Sequence, residues 1–84
     1  MIGNTDRCFI CGAMVGLDTH HVFGGPNRKK ADEDGLTVRL CRRCHEGVHR
    51  NIDMQRILQR MGQNIYILEH SREEFKKRYG RFYD

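Results

Sequence analysis

Two adjacent histidines in the stretch THHVFGGPNRKK are the first residues whose types and spacing could do chemistry. Neighbouring residues of a β-strand point to opposite faces. If the ring of His20 turns toward a metal ion, the ring of His21 must therefore point away from that ion and face whatever the metal binds. Because imidazole titrates close to neutral pH, a free His21 is suited to act as a general base.

His45 and His49 provide a second pair of imidazoles, four residues apart. On one helix this spacing brings both rings to the same side, where they can share a metal ion. The pair begins directly after Cys44, so a metal held by that cysteine would fix the start of the helix. Together with His20 they are the candidate ligands of a divalent ion, and three neutral nitrogen ligands with an open position are typical of a catalytic metal. We expect His70 to be a surface residue.

Four cysteines form two Cys-x-x-Cys pairs, CFIC and CRRC. In a reducing compartment two such pairs indicate a tetrahedral zinc site rather than disulfides. Two disulfides, unrelated buried thiols or a thiol redox protein are the alternatives. We predict a structural zinc bound by Cys8, Cys11, Cys41 and Cys44.

The length, composition and net charge of the chain limit the class of protein. A chain of 84 residues, 38% of them hydrophobic and none of them tryptophan, allows one small domain whose packing a metal or an oligomer would supplement. The formal charge of +4 suits a polyanionic partner, although it also fits an ordinary basic domain. Neither a membrane-spanning run nor a secretory signal is apparent, so we expect a cytoplasmic protein with reduced thiols.

Periodicity and turn residues indicate the elements that must position these side chains. Gly12 allows a tight zinc-knuckle turn over residues 8–12. The alternation in LTVRL predicts a half-buried strand, and no strong breaker interrupts a helix from Arg42 to Arg50. We also expect a short strand around Asp18–Phe23, and the composition of GGPNRKKADEDG predicts a loop.

The remainder of the chain favours helices. Apolar residues at helical spacing predict a helix ending at Gly62, whereas QNIYILEH is ambiguous between strand and helix. Ser71 and Glu74 form a capping-box pattern that begins a last helix. The apolar residues, expected in a core or a dimer contact, are Met54, Ile57, Leu58 and Met61, then Phe75, Tyr79 and Phe82. We predict a small α+β domain, residues 1–84, with a zinc-braced core at 8–50 and a helical extension at 51–84.

In this order the features resemble the HNH endonuclease family, and the whole chain resembles the short HNH proteins of bacterial prophages. The resemblance covers residues 8–50: a Cys-x-x-Cys pair, HH in a strand, a Gly-Gly loop, a second strand ending in LCRRCH, and a histidine four residues further on. It implies the ββα-metal (His-Me finger) fold with a separate zinc on the four cysteines.

The resemblance also implies an activity, metal-dependent hydrolysis of DNA phosphodiester bonds. It makes His21 the general base and makes His20, His45 and His49 the ligands of a catalytic Zn²⁺, Mg²⁺, Mn²⁺ or Ni²⁺ ion. A single site cuts one strand, so clean double-strand breaks would imply a homodimer. The residues that could contact neighbouring DNA phosphates are Arg28, Lys29, Lys30, Arg42, Arg43 and Arg50.

One departure from the family concerns the loop between the strands. The family has an asparagine at the start of the second strand that braces this loop, whereas DEDGLTV contains none. Asp34 and Asn27 are the candidates to replace it. The main alternative function is a non-catalytic zinc module that binds nucleic acid or a protein partner, which needs one metal ion per chain instead of two.

Overall fold

The computed structural model describes every residue from Met1 to Asp84 and contains two strands and four α-helices. In chain order these are β1 (Leu17–His21), a short 3-10 helix (Gly25–Asn27), α1 (Arg28–Glu33), β2 (Thr37–Cys41), α2 (Arg42–Arg50), α3 (Ile52–Glu69) and α4 (Arg72–Tyr79). The predicted small α+β class is confirmed. None of the helices combines the length and the apolar content needed to cross a bilayer.

The two strands form an antiparallel sheet in which His20 lies opposite Val38 and Asp18 lies opposite Leu40. Val38 and Leu40 are buried, as the alternation in LTVRL predicts. The first strand ends at His21 rather than continuing to Phe23. Phe23 lies just after the strand and is fully buried in the core.

The segment between the strands corrects the prediction of a loop over residues 24–35. It contains the 3-10 helix and α1. The run RKKADE has neither glycine nor proline, so it can form a helix once Ala31 is buried against the core, where it is 0% exposed. Gly35, with a φ of 70°, then reverses the chain after α1 as a helix-terminating glycine does.

Gly62 corrects a second prediction, because α3 does not end there but continues to Glu69 and takes all of QNIYILEH except His70 into the same helix. Gly62 allows α3 to lie close to the residues that follow β1. A Cβ atom at this position would lie 2.7 Å from Val22 Cγ2 and 3.4 Å from Phe23 Cε2. Packing against the residues after β1 therefore outweighs the low helix propensity of glycine.

We expect Gly62→Ala to destabilise the protein by about 1–3 kcal/mol, because the added methyl group overpacks the contact with Val22. Gly47→Ala is the matched control: this glycine is also helical, and nothing lies within 4 Å of its added Cβ. That variant should gain about 0.5–1 kcal/mol from helix propensity. Urea unfolding of the metal-saturated proteins measures both changes. A Gly62→Ala protein as stable as the parent would show that the close approach is not needed.

Aromatic residues join the C-terminal part of the chain to the same core. The ring of Phe23 lies 5.6 Å from that of Phe75, 4.8 Å from Tyr79 and 4.6 Å from Tyr83, measured between centroids. The predicted cap of α4 is present, since the Ser71 hydroxyl accepts a hydrogen bond from the Glu74 amide at 3.0 Å. The helical region 51–84 therefore packs directly on the residues that follow β1.

Polar contacts fix the segment between the strands against α4. Asp34 accepts hydrogen bonds from Arg78 Nε and the Tyr79 hydroxyl, both at 2.6 Å. Asn27 Nδ2 donates to the Tyr79 carbonyl at 3.1 Å and to the Tyr83 hydroxyl at 3.3 Å. Both candidates for the missing asparagine thus brace this segment, and they do so through the C-terminal residues.

Candidate metal centres

The four cysteines lie together, with their Sγ atoms within 4.8 Å of one another. All four are free thiols, and Cys11 Sγ is 3.6 Å from Cys41 Sγ. Two zinc–sulfur bonds of about 2.3 Å at the tetrahedral angle would place their sulfurs about 3.8 Å apart. The cluster therefore fits a structural metal site of four thiolates.

Local backbone geometry brings the two cysteine pairs together. The Gly12 amide donates to the Cys8 carbonyl at 2.9 Å, and Gly12 has a φ of 79°, which closes the turn around the first pair. The Phe9 amide donates to the carbonyl of Arg39 at 2.7 Å and so attaches this turn to β2. Because Cys41 ends β2 and the second pair runs into α2, a bound ion would tie the turn, the strand and the helix together.

The surroundings of Cys8 and Cys44 shift the pKa values of these two thiols in opposite directions. Burial raises the pKa of Cys8, but hydrogen bonds from the backbone at Cys11, Cys41 and Ile10 outweigh it and lower that pKa to about 6. Burial and hydrogen bonds with the neighbouring thiols raise the pKa of Cys44 to about 12. A cation among the sulfurs is what would allow all four to ionise.

A second cluster consists of the three predicted histidine ligands, with their ring nitrogens within 4.8 Å of one another. His45 Nε2 lies 3.1 Å from His49 Nε2. The His20 ring lies across them, with its centroid 5.2 Å from that of His45 and 5.6 Å from that of His49. Two zinc–nitrogen bonds of about 2.0–2.1 Å at the tetrahedral angle would place their nitrogens about 3.3 Å apart. The nitrogen spacing therefore fits a shared divalent ion.

His20 is held in the form that a metal requires. Burial, followed by the charges of His45, His49 and His21, lowers the pKa of His20 to about 4. The imidazole is therefore neutral at pH 7, and a nitrogen lone pair is available for coordination.

Asp18 orients one of these histidines, a contact that sequence reasoning missed. Its Oδ2 atom lies 3.2 Å from His45 Nδ1. With the proton on Nδ1 donated to this carboxylate, the lone pair of His45 Nε2 faces His49, which is the arrangement that carboxylates impose on metal-binding histidines. The signal was available, because Asp18 precedes His20 by two residues and so shares its face of β1.

Replacing Asp18 with alanine should weaken metal binding at the histidine cluster by about 10- to 100-fold, because His45 loses the partner that fixes its tautomer. Titration with Co²⁺ of protein whose cysteine site already holds zinc, followed by the visible absorption of the second ion, measures this affinity. Glu46→Ala is the matched control, since Glu46 is an exposed carboxylate on α2 beside His45 in the chain. Equal affinities for the two variants would contradict the orienting role of Asp18.

The His21 side chain contacts a different partner from the His20 side chain, as predicted for adjacent residues on opposite faces of a strand. Its Nε2 atom lies 3.2 Å from Asp32 Oδ1 on α1. A proton on Nε2 donated to Asp32 leaves Nδ1 with a free lone pair. Asp32 could not be identified from the sequence, because it belongs to the segment predicted to be a loop.

A cavity of about 620 Å³ opens beside the histidines. None of the residues that line it is acidic, and two arginines lie among them. They come from β1 and the turn after it, α1, α2, α3 and the C-terminal segment: Thr19, His20, His21, Val22, Gly24, Gly25, Arg28, His45, His49, Gln55, Gln59, Arg81 and Tyr83. This composition favours an anionic occupant.

Of the six basic residues predicted to contact DNA, Arg28 alone lines this cavity. Lys29 lies in an adjoining hollow with Arg28 and His21. Lys30 Nζ donates to the carbonyl of Arg78 at 2.7 Å and thus helps to hold α4. The other three are exposed along α2 outside the cavity: Arg42, Arg43 and Arg50. Sequence reasoning missed the cavity residues Gln55, Gln59, Arg81 and Tyr83, which lie far from the histidine motif in the chain.

The fold and the clusters define a small α+β protein with two candidate metal centres, one of thiols and one of imidazoles. The chain matches no protein-family model, no curated protein and no solved structure. The functional conclusion therefore depends on the geometry of these two centres.

Proposed function

We propose that the protein is a metal-dependent DNA endonuclease of the HNH class, with a ββα-metal fold that β1, β2 and α2 would form. The observation that carries the proposal is the pairing of a three-histidine cluster with a separate histidine, His21, around one cavity without carboxylates. A zinc module that only binds a partner needs the cysteine cluster but has no use for this arrangement.

The two clusters would hold different ions. Four thiolates at tetrahedral spacing favour a structural zinc on the cysteines. Three neutral imidazoles with space beside them favour a catalytic divalent ion, for which Zn²⁺, Mg²⁺, Mn²⁺ and Ni²⁺ are the candidates. When bound, this ion supplies Lewis-acid stabilisation of the negative charge that develops on the phosphate oxygens.

His21 supplies the proton transfer in the proposed reaction. Its Nδ1 lone pair accepts a proton from water, and the water oxygen attacks phosphorus as the bond to the leaving 3′ oxygen breaks. The leaving oxygen takes a proton from solvent water to become a 3′-hydroxyl, and the His21 imidazolium returns its proton to solvent. Asp32 accepts the hydrogen bond from Nε2, fixes the tautomer and stabilises the imidazolium that forms. Because the Asp32 side chain is 68% exposed, this pair contributes little to folding stability, and its contribution lies in orienting the ring.

The charge around the cavity supports a phosphodiester substrate. Arg28 and Arg81 line the cavity, and no acidic residue opposes them there. Over the whole chain the formal charge is +4. DNA phosphates attract such a surface, and the attraction weakens as salt concentration rises, because binding releases counterions from the DNA.

A nicking assay on supercoiled plasmid, run across the four divalent metals and with EDTA, tests the proposed function. We expect conversion to open circles with at least one metal and none with EDTA. His45→Ala protein purified in the same way controls for contaminating nuclease and should be inactive. Equal conversion by the parent and this variant, or none by the parent with any metal, would contradict the proposal.

A further inference from the structure

Beyond the histidines, the cavity has a second basic feature that comes from the C-terminal segment. Arg81 lines the histidine cavity and also lines an adjoining hollow that runs beside α3. It therefore lies at the boundary between the two. The adjoining hollow also contains Arg56 and Arg60, which are four residues apart and so project from the same side of α3.

The guanidinium of Arg81 is held in place without being neutralised. It lies over the ring of Tyr83, 4.3 Å from the centroid. Tyr83 itself is fixed, because its amide donates to the buried Gln63 at 2.6 Å and its ring packs against that of Phe23. A cation supported by a fixed aromatic face loses less freedom when it binds an anion than a side chain free in solvent does.

No carboxylate of the chain is paired with these three arginines. The ion pairs made by arginine side chains use Arg72 and Arg78. Asp84 is the acidic residue of the adjoining hollow, and its carboxylate is held by Gln63 at 2.7 Å and by Arg72 at 3.1 Å. The hydrogen bonds from Gln63 and Arg72 and, to a smaller extent, the charge of Arg60 lower the pKa of Asp84. Arg56, Arg60 and Arg81 thus form a row of exposed cations without a direct ion pair, and the row begins at the histidine cavity. We call this row the arginine track.

We infer that the arginine track binds successive phosphates of one nucleic-acid strand next to the bond that is cut, with Arg81 holding the phosphate nearest the histidines. The inference rests on the proposed nuclease function and names its substrate as a strand of several nucleotides. A single phosphodiester would occupy the histidine cavity, which Arg81 lines, without reaching Arg56 and Arg60 in the adjoining hollow.

Two substrates separate the track from the catalytic centre. Bis(p-nitrophenyl) phosphate has one phosphate, whereas a labelled oligonucleotide has many. The Arg56→Gln, Arg60→Gln double variant should lower kcat/KM for the oligonucleotide by about 10- to 100-fold, since the variant cannot form charged hydrogen bonds to phosphate at these positions. The same variant should hydrolyse bis(p-nitrophenyl) phosphate at the parent rate, because neither arginine lines the histidine cavity. Lys77→Gln is the matched control, because it removes one exposed cation from α4 away from both hollows and should change neither rate.

Binding provides a second readout that does not depend on catalysis. Fluorescence anisotropy with the metal-loaded protein and a single-stranded oligonucleotide should show weaker binding for Arg81→Gln and for the Arg56→Gln, Arg60→Gln double variant. The slope of log K against log salt should fall by about 0.7 for each phosphate that the variant no longer neutralises. If the parent does not cleave DNA but these variants still bind the oligonucleotide more weakly, the proposed nuclease function is refuted, whereas the phosphate-binding role of the arginine track is supported.

Other outcomes overturn the inference. If the Arg56→Gln, Arg60→Gln double variant slows both substrates equally, these arginines do not act on phosphates beyond the reacting one. If the variant binds and cleaves the oligonucleotide as the parent and Lys77→Gln do, there is no phosphate track at this position.

Discussion

Replacing His21 with alanine is expected to reduce DNA cleavage by about 100- to 10,000-fold while two metal ions stay bound to each chain. The reason is the division between the adjacent histidines. His20 belongs to the three-histidine cluster, whereas His21 contacts Asp32 and, in the proposed mechanism, keeps Nδ1 free for the proton of the attacking water. Plasmid nicking measures the reduction in activity, and elemental analysis of the dialysed protein measures the ions retained.

His70→Ala is the matched control for this substitution. His70 is exposed, pairs with Glu74 at 3.1 Å and lies outside the histidine cavity, so its replacement should leave nicking unchanged. A His21→Ala protein that cuts at the parent rate would refute its role as the base. Loss of an ion together with activity would show instead that His21 is a ligand.

Cys41→Ser is expected to abolish cooperative folding. The apparent free energy of zinc binding in small zinc domains is about 10–16 kcal/mol, which is comparable with or larger than the whole stability of a small domain, about 5–15 kcal/mol. Cys41 ends β2 and is the N-cap residue of α2, where its side chain makes no capping hydrogen bond. Since serine is a favourable N-cap, the substitution should not harm α2 by itself. The loss of folding therefore reports on the metal site.

Circular dichroism during thermal unfolding, together with the zinc content, measures the effect of Cys41→Ser. Met14→Ser is the control near the first cysteine pair, because Met14 is 62% exposed and its replacement removes no ligand. That variant should retain zinc and unfold in one sharp transition. A zinc-free Cys41→Ser protein with the parent's melting curve would show that the cysteine cluster does not hold the fold together.

Elements with a strong local signal could be predicted from the sequence. Val38 and Leu40 alternate with polar neighbours and give β2, because a half-buried strand repeats every two residues. His45 and His49 lie in a helix with the predicted bounds, since Gly47 is the one residue of low helix propensity between them and it does not end the helix. The spacing of the cysteine and histidine pairs likewise indicated which residues gather in the two clusters.

Features that depend on distant packing could not be predicted. Gly62 has the local signature of a helix end, yet α3 passes through it. The residue is a glycine because Val22 occupies the space that a side chain would need. Arg81 reaches the histidine cavity only because buried Gln63 fixes the C-terminal segment. Asp32 contacts His21 from α1, a helix that the glycine-rich and charged composition of residues 24–35 did not indicate. Each of these contacts joins residues whose proximity exists only in the folded chain.

The two corrections have a common consequence for the site. Because α1 is a helix, Asp32 is held at a fixed distance from His21. Because α3 continues past Gly62, Gln63 lies inside the protein, where it binds the C-terminal residues that close the cavity. The parts that the local sequence pattern misjudged are therefore the parts that complete the surroundings of the histidines.

Counting metal ions per chain tests most directly the claim that the three histidines bind an ion of their own. Protein saturated with Zn²⁺ and then dialysed should hold two ions per chain by elemental analysis. The His45→Ala variant should hold one, with its cysteine site still loaded and its fold intact. One ion in the parent, or the same count in both proteins, would contradict the histidine site and favour a zinc module with a single metal.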